Sequence, residues 1–237
     1  MMRLSPLVPA ALILCMSGPA AAQPPSPQAP ASLAAAERGG GDWIDYTSRE
    51  DFFMVNFPGA PTVKDITYPT EYGTTVPGRA YSVEDRSSRY SVTVVDYSAA
   101  ERFHAERSRN CQGYPDTCTN RWPNELRGAL DFAVSTFIQR DARVTYYAYA
   151  DTDRIEGRRV QLTNADRSRT FVAVYMHANR LYILDGTVPV GTPPPALFQQ
   201  SLGLFDKNGV RVRYETIYRN GYPPPPRVKT QGRLQGC

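Results

Sequence analysis

Signatures of catalysis are what this sequence lacks. Its 237 residues contain two histidines, His104 and His177, and none of the short patterns that assemble a reaction centre. There is no Gly-x-Ser-x-Gly elbow, no His-Glu-x-x-His helix and no phosphate-cradling Gly-x-x-x-x-Gly-Lys-Ser/Thr loop. Gly39-Gly40-Gly41 has neither a preceding strand nor a following lysine and reads as a hinge. Paired acids such as Glu84-Asp85, or Asp151 with Asp153, lie in turn-like stretches and read as solvated charges, and both imidazoles read as surface groups. No metal centre is expected, since zinc takes about four ligands and no histidine neighbours the cysteines. No organic cofactor is called for either.

Long apolar runs are also missing. The longest, Leu7 to Met16, is about half of the ~20 residues that cross a bilayer core. Arg3 before it and Ala20-Ala21-Ala22 after it make residues 1–22 a secretory signal peptide, cleaved after Ala22. A lipoprotein anchored through Cys15 is rejected because bulky Leu14 precedes that cysteine and apolar residues follow it. The chain is therefore expected to be periplasmic or secreted, with no transmembrane segment after cleavage. A net charge of +4 over the whole chain is far too small to track phosphates, which with export excludes nucleic acid as a partner.

What remains divides by composition. Residues 23–42 are rich in Pro, Ala and Gly and form a flexible linker; residues 43–218 suit a single domain; residues 219–237 are a basic, Pro-rich tail expected to be disordered. Basicity gathers at this end, with seven Lys or Arg against two acids from Asp206 onward, although a solvated end explains it as well as an anionic partner does. Cys111 and Cys118 close a short loop containing Gly and Pro, and in an oxidising compartment they are expected to form a disulfide. Cys237 is left over: free, mixed with a small thiol, or bridging to a second chain as an oligomer contact.

Periodicity gives the fold class. Phe52 to Phe57 reads as a strand ended by Pro58-Gly59, and Val63 to Tyr68 as another. Arg79–Glu84 and Tyr90–Tyr97 form a hairpin with Tyr90, Val92 and Val94 on one face and Val95 and Tyr97 on the other. From Glu125 to Arg140, apolar residues at 126, 129, 130, 133, 134, 137 and 138 make one helical stripe, while Ala99 to Arg109 reads as a shorter helix or an irregular crossover. Strands follow at 143–150, 158–163, 170–177 and 181–188, then a helix over Pro195 to Leu204 with Leu197, Phe198 and Leu202 inward. Neighbours joined by short turns are antiparallel. The class is α+β: a mainly antiparallel twisted β-sheet flanked by helices, with disordered termini.

The run Phe53-Met54-Val55-Asn56-Phe57-Pro58-Gly59-Ala60-Pro61, the strand ending Asp96-Tyr97, the amphipathic helix, Asn179-Arg180-Leu181-Tyr182-Ile183-Leu184, and a helix with Phe198 and Ser201-Leu202 together resemble uncharacterised exported bacterial proteins. Their layout is similar to the PsbP-like and Mog-like α/β/α sandwich. The resemblance spans about 43–205 and implies a fold and an accessory or binding role in larger assemblies, with no catalytic residues. The Cys111–Cys118 insertion and the basic tail depart from it.

Two groups of residues are candidates for ligand binding. Asp85-Arg86-Ser87-Ser88-Arg89 and Asp166-Arg167-Ser168-Arg169 are near-repeats at two hairpin turns. If both emerge at one end of the sheet, Arg86, Arg89, Arg167 and Arg169 would converge on a carboxylate, phosphate or sulfated sugar; otherwise Asp and Ser simply start the turns and Arg keeps them soluble. Tyr147 and Tyr149 share a strand face and, left uncovered by the helix, would stack a glycan or aromatic ligand. The reading is a non-enzymatic envelope accessory module whose partner is an envelope protein or anionic polymer. The rival is an envelope enzyme with an unrecognised active site. A deep pocket with a strongly perturbed acid or histidine would favour the enzyme, and a shallow surface the module.

Overall fold

The computed structural model describes residues 43–111 and 121–228. The expected signal peptide and linker, Cys118 and Cys237 lie outside the described residues, so export and the cysteine pairing stay expectations.

Seven strands make the principal sheet: β3 (Thr62–Pro69), β4 (Thr75–Asp85), β5 (Ser88–Asp96), β6 (Ala142–Thr152), β7 (Ile155–Asn164), β8 (Arg169–His177) and β9 (Arg180–Val188). Their order is β3-β4-β5-β9-β8-β7-β6, every pair antiparallel. Helices α1 (Ala100–Arg109) and α2 (Trp122–Ile138) cross one face. The other face carries a small sheet of β1 (Ile44–Ser48), β2 (Phe53–Phe57) and β10 (Gly203–Leu204), with the short helix α3 (Ala196–Gln200) beside it. The fold is thus α+β, built on antiparallel sheets.

Both faces of the central strands are dry. β5 sends Tyr90, Val92 and Val94 toward the small sheet and Val95 toward α2, and β8 is buried from Thr170 to His177. The helical stripe is realised with Leu126, Ala129, Leu130, Ala133, Val134 and Phe137 buried, but Ile138 at the last turn is exposed. Burying each large aliphatic or aromatic side chain contributes about 1.5–3 kcal/mol.

Three expectations are corrected. The helix over 195–204 is a single turn. After Gln200 the chain swings to pair with β2, Ser201 Oγ accepting the Asn56 N–H at 2.8 Å and Gly203 lying so close to Met54 that a Cβ would meet its Cγ at 3.0 Å. Neither histidine is a surface group. His104 is buried between α1 and α2, hydrogen-bonded to buried Glu125, which also accepts from Thr74 Oγ1 at 3.3 Å. His177 is buried under the C-terminal segment, its Nε2 3.0 Å from the Tyr214 hydroxyl. Asp153 is likewise no solvated charge, since Arg211 and Arg213 both pair with it at 2.9 and 3.0 Å.

The chain does not leave the domain at Tyr218. Residues 211–228 run along the end of the sheet that holds the β6–β7 and β8–β9 turns. Asp153-Arg154 and Ala178-Asn179 both have positive φ, as hairpin turns matching strand twist require. The segment seals those turns: Tyr218 N donates to Arg154 O at 2.8 Å, Ala178 N to the Tyr218 hydroxyl at 3.1 Å, and Asn179 and Asn220 exchange two hydrogen bonds. Tyr214 and Tyr218 stack at 4.8 Å over this end.

Candidate functional site

The two arginine-bearing turns do share an end of the sheet, because β5 and β8 run parallel to each other on either side of β9. Arg89 pairs with Thr187 and Thr187 with Thr170, so the turns stand two strands, about 10 Å, apart. Their side chains diverge. Arg89 lies on the helix-bearing face with Asp185, whose carboxyl burial raises and Arg140 and Arg89 lower, and it stands opposite Glu84 on β4. Arg169 lies on the other face, over the Phe171 ring at 5.4 Å and bonded to the Thr192 carbonyl. Arg86 and Arg167 are exposed at the tips, both with positive φ. Four guanidiniums sharing an end are therefore split between faces and partly matched by acids.

The tyrosines are placed differently. β6 is an edge strand, and beyond an irregularity between Val144 and Tyr146 its odd-numbered residues turn to the helix-bearing side. Tyr147 and Tyr149 are each 51% exposed there, with Tyr146 at 47% on the opposite side. Helix α2 packs over β7, β8 and β9 and leaves the β6 tyrosines uncovered. A shift of this kind spoils an edge for strand pairing, so what β6 offers is side chains rather than a hydrogen-bonding ladder.

Beside them a groove of about 230 Å³ runs between α2, β7 and the C-terminal segment. Arg158 is its centrepiece: it pairs with Asp131 of α2 and with Glu156, both at 3.1 Å, and its guanidinium lies 5.7 Å from the Tyr149 ring. Arg219 reaches Glu156 at 3.5 Å. Arg127 covers the Tyr222 ring at 4.5 Å and donates to the Gly221 carbonyl at 3.3 Å. Partial burial, then the Glu156 and Asp151 carboxylates, raise the pKa of the Tyr149 phenol. The floor is Leu126, Leu130 and Met176. The result is an open trough with an apolar floor, lined by guanidiniums alternating with carboxylates, with Arg158 lying between it and the exposed Tyr149 ring of β6. Asp131 and Glu156 act as struts that hold Arg158 across the gap.

Sequence reading found Tyr147 and Tyr149 through their alternation. It did not find Arg158 and Asp131, which meet where α2 packs on β7, or Arg127, Arg219 and Tyr222, which are brought to them by the C-terminal segment folding back on α2. The stiff Pro223–Pro226 stretch was the one local hint that this segment follows a fixed course.

Among the described residues there is no group of three or more His, Cys, Asp or Glu placed to hold a metal, and no helix is long and apolar enough to cross a membrane. No family model matches the chain, and no curated protein matches it. Among solved structures it is similar to cyanobacterial PsbP (CyanoP) from Synechocystis sp. PCC 6803, known from a solution structure, at 11% identity and a TM-score of 0.40, over 71% of this chain and 96% of that one.

Proposed function

We propose that this chain is an exported, non-enzymatic accessory module of the cell envelope that binds an envelope glycan along the β6 edge and the adjoining groove. The observation that carries the reading is the pair Tyr147 and Tyr149, each half exposed on the same side of an edge strand and bordered by the Arg158 network. Two residues apart on one face, they present rings about 7 Å from each other, close to the span of successive sugar rings. A pyranose lays its C–H face on a phenol, while its hydroxyl and carboxylate groups meet the mixed guanidinium and carboxylate lining of the groove, where Arg offers a planar fork. The groove is shallow and open, as suits a polymer threading past rather than a small molecule enclosed.

The export address, residues 1–22, and the Cys111–Cys118 disulfide belong to the same reading. The test is binding of soluble peptidoglycan fragments by the mature chain, measured by titration calorimetry, with a neutral β-glucan for comparison. Loss of two stacking contacts worth about 1 kcal/mol each predicts about 30-fold weaker binding for Tyr147→Ala, Tyr149→Ala. Its melting temperature should be unchanged, since both rings are exposed. Equal affinity in the double variant would refute the reading.

A further inference from the structure

A second concavity, of about 310 Å³, lies at the end of the sheet that holds the β8–β9 turn, on the side away from α1 and α2. Phe52, Phe205 and Tyr182 supply its apolar wall, and Arg180, Lys207 and Arg227 its cations. One carboxylate, Asp206, is among the lining groups, and it is occupied: Oδ1 accepts the Asn208 and Val210 N–H groups at 2.9 and 3.1 Å, and Oδ2 accepts from Arg227 at 2.7 Å.

The site is left with more donors than acceptors. Lys207 makes no ion pair among the described residues. Arg180 lies over the Phe52 ring at 4.7 Å and reaches Asp96 at 3.4 Å through one terminal nitrogen, while its Nε is buried with no hydrogen-bond partner. A buried N–H without an acceptor is uncommon and costly.

The backbone here is also held in an unusual shape. Phe52, which is no glycine, has φ 57. Phe52 is fixed there by its neighbours: the Tyr182 hydroxyl donates to the Asp51 carbonyl at 3.0 Å, the Tyr81 hydroxyl to the Asp51 carboxylate, and Phe205 N to the Phe52 carbonyl at 2.9 Å. Strain maintained by a surrounding network is characteristic of places where a side chain must be presented. What is presented is the Phe52 ring under a guanidinium.

We propose that this cavity binds a small organic anion, a carboxylate or phosphate group carried on an aromatic or apolar body. Arg180, Lys207 and Arg227 take the oxyanion, and Phe52 and Phe205 take the body. The site is separate from the β6 groove and does not depend on the glycan reading.

The chain's two imidazoles provide the measurement. His177 lines the cavity and His104 is buried elsewhere. The mature chain is titrated at neutral pH with phenyl phosphate, benzoate, inorganic phosphate and benzyl alcohol while both imidazole signals are followed by NMR. Saturable movement of His177 without His104 is expected with phenyl phosphate or benzoate, and the tighter of the two identifies the head group. Inorganic phosphate and benzyl alcohol should produce no saturable shift over the same range. Lys207→Gln and Arg227→Gln should each weaken binding about tenfold, as loss of one charge-assisted contact does, whereas Tyr147→Ala, Tyr149→Ala should leave it intact. Lys207 is exposed on a loop, so that variant keeps the fold should Arg227→Gln loosen the C-terminal segment. No saturable His177 shift with either organic anion, unchanged affinity in Lys207→Gln, or inorganic phosphate binding as tightly as phenyl phosphate would each overturn the proposal.

Discussion

His177 shows how a single residue inherits its chemistry from chain far away in sequence. Burial first, then the Arg227 and Arg180 guanidiniums, hold its pKa at about 4 against an ordinary 6.5. In the unfolded chain it takes up a proton near 6.5, and in the folded chain only near 4. The native state therefore binds fewer protons in that window, so the associated stability is complete above pH 6.5 and is lost as pH falls toward 4, with a ceiling of about 3 kcal/mol. His177→Gln keeps a hydrogen-bonding group for Tyr214 but cannot titrate. Urea midpoints at pH 7, 5 and 4 should fall less steeply for the variant than for the parent, and parallel declines would contradict this account. Gly157 makes a second point at the same scale: a Cβ there would overlap the Tyr175 ring and the Val174 carbonyl oxygen. Gly157→Ala should cost about 2–3 kcal/mol by thermal or chemical unfolding. Neither residue announces this in the sequence, where His177 looked like a surface group near a turn and Gly157 fell in no recognised motif, because the cause in each case is a side chain or segment brought in by tertiary folding.

At the scale of elements, the legible parts were those whose periodicity serves a large layer. Strands β5, β8 and β9 and helix α2 follow their apolar spacing because each faces a continuous core, and burial on one face or stripe leaves its mark at every second residue or every third and fourth. The short elements were not legible. β1 has five residues and takes its place from pairing with β2. The stretch Pro195 to Leu204 has apolar spacing that suits a helix equally well, but Gly203 and Leu204 pair with Met54 and Phe53 of β2 instead. The joint between α1 and α2 depends on the buried His104–Glu125 pair. Glu125→Ala should destabilise by about 3 kcal/mol or more, since it leaves an imidazole buried without its partner, whereas replacing both by leucine should recover much of the loss. Melting temperatures of the two variants make the comparison, and equal losses would show that the pair matters only by its volume.

For the whole molecule, the C-terminal segment is the integrating feature. It seals two hairpin turns, buries His177, and supplies Arg219 and Tyr222 to the groove and Arg227 to the second cavity. Composition marked its part beyond Tyr218 as a tail because residues 219–237 are rich in Arg and Pro and have no periodicity. Its partners are turn backbones and carboxylates spread over the rest of the chain, a kind of information that local patterns do not carry. The candidate site was legible to the same extent: the tyrosines could be read from one strand, the groove beside them could not. Intact-mass analysis of the protein recovered from outside the cytosol should show a chain beginning at Gln23 with Cys111 and Cys118 joined. A full-length precursor with reduced thiols would contradict the export reading.

The claim that the β6 edge and its groove form the binding surface is tested most directly by mapping backbone-amide NMR shifts of the mature chain on addition of soluble peptidoglycan fragments. The account predicts the largest changes at Tyr147, Tyr149, Arg158 and Tyr222, saturating together, with the tips at Arg86 and Arg167 unmoved. Changes confined to those arginine-bearing tips, or none on β6, would contradict it.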